Sequence, residues 1–235
     1  MKKLFSFLGT TLYSECSYSS GDFTARTSRF VQTAIYEFLL HQGIEIDKVY
    51  VFLTKEAAEK NYEDYMNGSK YYKGLKTVWK ELFSGHDWRL IPVPMKSGQQ
   101  EQEQWELFEQ FYELIDYGDE IYFDITYSFR SNPIIAILIS NFARIIKNAS
   151  IKRMLYGNFE PPATIVDITS MLELLDWTVA VDSFLRTGNP AQIDALSKEK
   201  VKQNKQDKDY QLIHSLTYQL SELYNTQLSH LENLY

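Results

Sequence analysis

Residues 124–133 decide the fold, and they read Asp-Ile-Thr-Tyr-Ser-Phe-Arg-Ser-Asn-Pro. Apolar residues 121–123 come directly before this stretch, and the long apolar segment 134–146 follows it. This order predicts a buried strand that ends in hydroxyl side chains and one arginine, and then turns into a helix that tolerates Pro133 in its first turn. In open α/β folds, strand ends and the free N–H groups of the next helix face one crevice. We therefore expect an anionic ligand here.

Strand-like and helix-like patterns alternate on both sides of this stretch. Helices are predicted at residues 28–41, 55–65, 74–83, 134–146 and 171–186, with another that begins near Ser97. This alternation is typical of an α/β, Rossmann-like fold, with a mostly parallel sheet flanked by helices. The short connection 157–162 favours antiparallel pairing of the last two strands. The six predicted strands lie at residues 4–8, 49–53, 90–93, 121–125, 151–156 and 164–168.

Two helix starts are predicted from capping boxes, in which a serine and a residue three positions later satisfy free N–H groups. The pairs are Ser97 with Gln100 and Ser170 with Glu173. A Lys- and Gln-rich segment and then a stripe of leucines follow the second helix. We therefore divide the chain into a Rossmann-like domain, residues 1–169, and a C-terminal helical extension, residues 170–235.

Composition restricts the class of protein. A hydrophobic fraction of 44% and a charged fraction of 23% are ordinary for a globular chain. A single cysteine, Cys16, excludes a disulfide framework and favours a reducing compartment. The net charge of -7 argues against broad binding of DNA or other nucleic acids. Residues 4–8 are too short for a signal peptide and no apolar run could span a membrane, so we expect a cytoplasmic protein.

Polar residues at the predicted strand ends should share one rim if the strands are parallel. Arginine suits phosphate, while hydroxyls and N–H groups suit phosphate or ribose oxygens. Asp124 is expected to organise the loop by accepting nearby backbone N–H groups. The alternative is an ordinary capped turn, with Arg130 in a surface ion pair. The rim residues are Thr10, Thr11, Thr54, Lys96, Ser97, Thr126, Ser128, Arg130 and Asn132.

The sequence lacks the motifs of several enzyme classes and of metal sites. The segment 9–11, Gly-Thr-Thr, is neither the full Gly-x-Gly-x-x-Gly fingerprint nor a Walker loop, which argues against dinucleotide dehydrogenases and P-loop NTPases. The four histidines are scattered, without metal-ligand spacing. We therefore expect no metal and no cofactor.

Several ordered blocks together resemble the CRISPR-associated Rossmann-fold (CARF) family over about residues 4–195. The nearest branch has the motif Asp-x-Thr-His-Gly-Phe-Arg-Ser, which residues 124–131 match except that Tyr127 and Ser128 replace His and Gly. Ser128 therefore puts a side chain where the branch lets backbone approach the ligand. The blocks are residues 8–10 with Tyr13, 27–35, 52–54, 105–108, 124–133, 156–160, 167–169 and 175–188.

The resemblance implies a homodimeric sensor of type III CRISPR antiviral signalling, which binds a cyclic oligoadenylate (cA4 or cA6) across its two-fold axis. A symmetric ring of identical nucleotides suits a symmetric pair of sites. Ring size cannot be read from the sequence. The implied ligand-binding residues are Gly9, Thr10, Thr11, Thr54, Lys96, Ser97, Gly98, Thr126, Tyr127, Ser128, Phe129, Arg130 and Asn132.

Two other functions remain open. Some relatives cleave their own ligand without metal; here Arg130 would stabilise the phosphorane, and Thr10, Thr11 or Ser128 would orient the sugar. Alternatively, the chain is a helix-mediated interaction protein with a vestigial pocket.

The resemblance also bears on an effector. Family members usually carry one, most often a HEPN ribonuclease with an Arg-x4-6-His motif. No such spacing follows Arg186. The extension is therefore predicted to be a dimerisation element or the start of a truncated effector, fused or separate.

Overall fold

The computed structural model describes residues 1–98, 100–127, 132–203 and 208–232. They form two compact units, Met1–Thr169 and Ser170–Tyr235. Within the described ranges the first unit contains ten strands and five α-helices. The strands are β1 (Lys2–Leu8), β2 (Ser19–Ser20), β3 (Phe23–Thr24), β4 (Lys48–Leu53), β5 (Tyr65–Asn67), β6 (Lys70–Tyr72), β7 (Leu90–Pro94), β8 (Glu120–Asp124), β9 (Ser150–Asn158) and β10 (Thr164–Asp167). The helices are α1 (Val31–His41), α2 (Lys55–Ala57), α3 (Leu75–Leu82), α4 (Glu101–Leu114) and α5 (Asn132–Lys147).

Eight strands form the central sheet, in the order β3-β2-β10-β9-β8-β1-β4-β7. Strands β7, β4, β1, β8 and β9 are mutually parallel, whereas β10 runs antiparallel to β9. The predicted α/β class, the mostly parallel sheet and the antiparallel late pair are confirmed. The sheet has eight strands and not six because β2 and β3, of two residues each, are too short to leave a periodic pattern.

Strand β1 is buried on both faces, as a central parallel strand should be. Leu4 and Leu8 belong to the core cluster that also contains Ile35 of α1. On the other face, the rings of Phe5 and Phe7 lie 5.4 and 5.9 Å from that of Phe111 in α4. The near-continuous apolar run of β1 thus lets helices pack on both faces of the sheet.

The helix predicted at residues 55–65 is wrong in its second half. Helix α2 continues only through a π-helical segment, Ala58–Tyr62. The chain then forms the two-stranded β5–β6 hairpin, in which Asn67 pairs with Lys70. Gly68, the first loop residue, has a positive φ of 60°, which suits a tight two-residue turn. The hairpin that turns at Gly68 therefore ends the helix that the spacing of residues 55–65 predicts.

Both predicted capping boxes are wrong. Helix α4 has Gln100 at its N-cap position without a side-chain cap, and the Ser97 hydroxyl instead donates to Glu103 at 3.1 Å. The helix predicted to open at Ser170 begins one residue earlier, where the N–H of Thr169 donates to the Asp167 carboxylate at 2.9 Å.

The helix predicted as buried at residues 134–146 is buried on one side only. Within α5, Ile135, Ile139 and Ala143 are buried. The opposite side exposes large apolar side chains, which we call the apolar face of α5. Its members are Ile134, Ile137, Leu138, Phe142, Ile145 and Ile146.

The second unit is helical and comprises α6 (Thr169–Thr187), which starts at the unit boundary, α7 (Ala191–Gln203) and α8 (Lys208–Glu232). Helices α7 and α8 are joined by a hydrogen bond between His214 Nδ1 and the Asp194 carboxylate, at 3.0 Å. Across the described part of the chain, no helix has the length and apolarity that a membrane span requires.

A buried ion pair fixes the amino end of the sheet. Lys3 of β1 is 1% exposed and lies 2.6 Å from Asp119, which is 2% exposed. The ammonium also donates to the carbonyl of Leu114 at 2.8 Å and to Asp116 at 2.6 Å. Burial disfavours the ammonium, yet these carboxylates raise the pKa of Lys3 above its usual value. The pair is fully hydrogen-bonded, so removing one member should be costly.

We expect Lys3→Met to lower the free energy of unfolding by about 3 kcal/mol, because two carboxylates and a carbonyl lose their donor. Urea denaturation measures this loss. Lys76→Met is the control, since its ion pair with Glu63 is 59% and 54% exposed and should contribute little. Equal losses in the two variants would contradict the assigned role of Lys3.

Candidate functional site

The order of the sheet creates one topological switch point. The chain proceeds from β1 to β4 and β7 on one side, and then returns to β8 and β9 on the other. Ligands of open α/β sheets bind beyond the carboxyl ends of the strands at such a point. Here it lies between β1 and β8, whose register pairs Phe5 with Phe123. The loops that follow Leu8 and Asp124 are therefore neighbours.

Direct contacts join these two loops. The rings of Tyr13 and Tyr127 stack with centroids 4.1 Å apart. The N–H of Gly9 donates to the Tyr13 hydroxyl at 2.7 Å. A Cβ atom at Gly9 would lie only 2.8 Å from that hydroxyl, so the glycine is required by close approach. Burial raises the pKa of the Tyr13 phenol, which therefore stays protonated at neutral pH.

Two residues that the sequence analysis did not assign to the site hold the first loop in place. The Asn61 amide is buried and donates to the carbonyls of Gly9, at 2.8 Å, and Thr11, at 2.9 Å. Arg29 donates to the carbonyl of Tyr13 at 3.1 Å. Asn61 gave no sequence signal, since it lies within a predicted helix. Arg29 lies in a block of the family resemblance, which was the available signal.

Thr10 and Thr11 follow β1 directly, as predicted. Thr10 is half-buried and Thr11 is exposed. Asn61 fixes the carbonyls of Gly9 and Thr11 on either side of Thr10. The hydroxyls of Thr10 and Thr11 make no hydrogen bond with any residue that the structure describes. The loop therefore presents two hydroxyls from a backbone that is already held in place.

Asp124 organises the second loop, as the sequence predicted. It is completely buried and accepts from the Ser6 hydroxyl at 2.5 Å, and from the N–H and hydroxyl of Thr126 at 3.0 and 2.5 Å. Burial raises the pKa of Asp124, and the bonds from Ser6 and Thr126 offset only part of this effect. The carboxyl lies beneath the crevice and offers nothing to a ligand directly.

Thr126 is a link between strands. Its hydroxyl donates to Asp124 and accepts from the N–H of Gly157 in β9, at 2.8 Å. Tyr127, the next residue, is half-buried. Burial raises the pKa of the Tyr127 phenol, although a hydrogen bond with Tyr18 lowers it. Both of these predicted ligand residues therefore have their hydroxyls engaged within the protein.

The remaining rim residues lie at the same edge of the sheet but farther from the switch point. Thr54 follows β4, and its side chain accepts from the N–H of Ala57 at 3.2 Å as the cap of α2. Lys96 follows β7 and lies 2.8 Å from the carboxylate of Glu106. Gly98 is buried nearby. A cavity of about 510 Å³ extends from Leu53 to Lys96 and is also bordered by Glu103 and Glu106. Two carboxylates therefore lie along this part of the rim.

Three predicted ligand residues, Ser128, Phe129 and Arg130, lie outside the described residues. Asn132 is the first residue of α5. Within the described ranges, no group of three or more His, Cys, Asp or Glu residues could hold a metal ion.

The buried carboxyl of Asp124 predicts a pH dependence of stability. Because its folded pKa lies above the ordinary value of 3.8, the unfolding free energy should fall as pH rises through that raised pKa. Asp124→Asn keeps the shape and removes the charge. Between about pH 4 and pH 7, we expect the stability of this variant to increase relative to the wild type, measured by urea unfolding at each pH.

Thr24→Val is the control, because the Thr24 side chain is exposed and carries no ionisable group. It should show the same pH dependence as the wild type. A pH-independent difference between Asp124→Asn and the wild type would show that Asp124 does not titrate differently in the folded state.

Comparison with known proteins gives two findings. The family model described as "CRISPR system endoribonuclease Csx1, CARF domain" matches residues 3–161, which include both loops of the crevice. A CRISPR-associated protein, MJ1674 of Methanocaldococcus jannaschii, is 28% identical over 194 residues, which cover 75% of this chain and 30% of that protein. The chain thus spans less than a third of the length of this relative. Both findings are proteins or domains of CRISPR systems. The chain belongs to the Csx1 family of CARF domains.

Proposed function

We propose that this chain is a sensor domain that binds a cyclic oligoadenylate, cA4 or cA6, as a homodimer in type III CRISPR antiviral signalling. The observation that carries the proposal is the adjacency of the loop 9–13 and residues 126–127 at the switch point between β1 and β8. Both loops fall within the residues that match the CARF domain. A crevice at this position is where the fold class binds nucleotides.

The chemistry of the first loop suits riboses and phosphates. Thr10 and Thr11 offer hydroxyls, and Asn61 fixes the backbone that carries them. A preformed loop loses little conformational entropy when a ligand binds, which favours affinity. Arg130, which lies outside the described residues, is proposed to add a bidentate contact to phosphate. Such contacts recognise the backbone of the ring and not its bases.

The apolar face of α5 supports the homodimer. Ile134, Leu138 and Ile145 are 61%, 57% and 77% exposed, although the other side of the same helix is buried in the core. A helix that is apolar on all sides normally has partners on all sides. The apolar face of α5 also includes Phe142, whose ring centroid lies 5.5 Å from that of Phe108 in α4. Patches of this kind mark interfaces between proteins.

A second copy is the partner that best fits this face. Helix α5 follows residues 126–131 in the chain, so an interface through α5 lies next in sequence to the proposed ligand-binding residues. An isologous contact would present the same loop twice. A cyclic ligand of identical nucleotides could then bind both copies in the same way.

Ligand binding is tested by titrating the purified protein with cA4 and cA6 in a calorimeter. We expect one of the rings to bind, and Arg130→Ala to weaken binding by at least tenfold, as loss of a charged hydrogen bond of about 1.5–3 kcal/mol requires. Thr10→Val, which removes one hydroxyl without changing shape, should weaken binding about fivefold. Wild-type protein that binds neither ring would refute the proposal.

The matched controls are Arg186→Ala and Thr24→Val. Arg186 lies in α6 and is paired with Asp182, and Thr24 lies on the edge strand β3. Neither should change the affinity. If both arginine variants bind as the wild type does, Arg130 is not a ligand residue and the alternative of a vestigial pocket gains support.

Cleavage of the ring is the alternative activity of the same crevice. Chromatography of the ligand after incubation without metal separates the two functions, because a ring nuclease yields linear product whereas a sensor leaves the ring intact. Loss of cleavage but not of binding in Thr10→Val would indicate that this hydroxyl orients the sugar.

The homodimer is tested by the mass of the protein in solution. Leu138→Glu places a charge on the apolar face of α5, so we expect it to convert a dimer into a monomer in size-exclusion chromatography with light scattering. Tyr117→Glu is the control, because Tyr117 is also exposed, at 78%, and lies in the loop between α4 and β8. A Leu138→Glu protein that stays dimeric would exclude this face as the interface.

A further inference from the structure

We propose that the cavity between the loop 9–13 and the β5–β6 hairpin is a subsite for one adenine base of the ligand, and that the hairpin reads this base. The inference rests on the proposed function. It adds a recognition element, the hairpin, to which neither the sequence analysis nor the comparisons assign a role.

The cavity opens directly beside the proposed crevice. Its volume is about 280 Å³, slightly below the range typical of sites for whole drug-sized ligands. Thr10 belongs both to the crevice loop and to the wall of this cavity. A ligand whose sugar and phosphate contact Thr10 would therefore have a space for one ring system next to it. The lining residues are Thr10, Leu12, Lys60, Asn61, Tyr65 and Asn67.

Tyr65 gives the cavity an aromatic wall. Its ring stacks on that of Tyr72 across the hairpin, with centroids 5.3 Å apart and an interplanar angle of 19°. The cross-strand pair holds the ring in place. Aromatic side chains fixed in this manner are the usual stacking partners of unpaired bases. Leu12 contributes an apolar surface to the same cavity.

Asn67 supplies the group that can distinguish adenine. A carboxamide accepts a hydrogen bond from N6 of adenine and donates one to N7, whereas a purine with oxygen at position 6 offers only acceptors on that edge. The side chain of Asn67 makes no hydrogen bond to any described residue and is exposed at the turn of the hairpin. Asn61 cannot play this part, because its amide donates to the carbonyls of Gly9 and Thr11.

Lys60 places a positive charge at the same cavity. Its ammonium lies 2.6 Å from Glu56, which is not among the lining residues. A phosphate next to the bound base would find this cation close to Thr10. The subsite therefore combines an aromatic wall, a carboxamide and a cation, whereas the crevice loop offers only hydroxyls and backbone groups that do not distinguish bases.

The experiment compares an adenylate ring with the corresponding inosinate ring, in which the 6-amino group is replaced by oxygen. The wild type should prefer adenylate by about tenfold, because one bidentate amide–adenine pair is lost with inosinate. Asn67→Ala should reduce the affinity for adenylate more than that for inosinate, which can accept but not donate a bond at this edge, and so abolish the preference. Tyr65→Leu should weaken both rings about equally, since stacking does not depend on the 6-substituent.

Met66→Ala is the matched control, because Met66 is the intervening hairpin residue, is 59% exposed and does not line the cavity. It should bind both rings as the wild type does. Far-ultraviolet circular dichroism and melting temperature check that each variant folds. If Tyr65→Leu does not fold, the preference of Asn67→Ala for adenylate over inosinate still tests the inference.

Failure of this inference differs from failure of the proposed function. If the wild type binds no ring, the sensor function is wrong. If the wild type binds adenylate but Asn67→Ala keeps both its affinity and its preference over inosinate, the sensor function stands and the hairpin does not read the base.

Discussion

The hydrogen bond from the Ser6 hydroxyl to the Asp124 carboxylate joins the two central strands near the level at which the chain leaves the sheet. The same carboxylate holds Thr126, and Thr126 in turn holds Gly157. Three neighbouring strands, β1, β8 and β9, are thereby connected beneath the crevice. Among the described residues Asp124 has no cationic partner, and such a carboxyl is expensive to bury, so the loop geometry that it fixes outweighs its cost in stability.

Much of the fold could be predicted because its central strands are short, largely apolar runs bounded by turn residues. Residues 4–8 and 121–123 are too short for buried helices, and the hydroxyls after each run mark the edge where the strand ends. The elements that were missed are those whose structure depends on a turn or on partners distant in sequence. The helix predicted at residues 55–65 ends three residues early, at Tyr62, because the hairpin around Gly68 begins at Tyr65. Strands β2 and β3 exist only through pairing with β10 and with each other.

The position of the site could be predicted from the sequence, but not which of its donor groups are already bonded within the protein. Strand ends located the rim, yet Thr54, Lys96 and Thr126 each bond within the protein, and no pattern in the sequence shows whether a hydroxyl or an ammonium will be occupied. Asn61 shows the converse. From the sequence alone, an asparagine inside a predicted helix is expected to face solvent. In the structure, the Asn61 amide is buried and donates to the carbonyls of residues 9 and 11.

The contact between Gly9 and the Tyr13 hydroxyl also constrains how this chain can evolve. A methyl group at position 9 collides with that oxygen, so alanine there becomes acceptable only after position 13 has lost its hydroxyl, for example by a change to phenylalanine. Yet that earlier change leaves the amide of residue 9 without its acceptor. In the double replacement the collision is gone but the amide still lacks its acceptor, so position 9 should change only in chains that have already lost the hydroxyl at position 13.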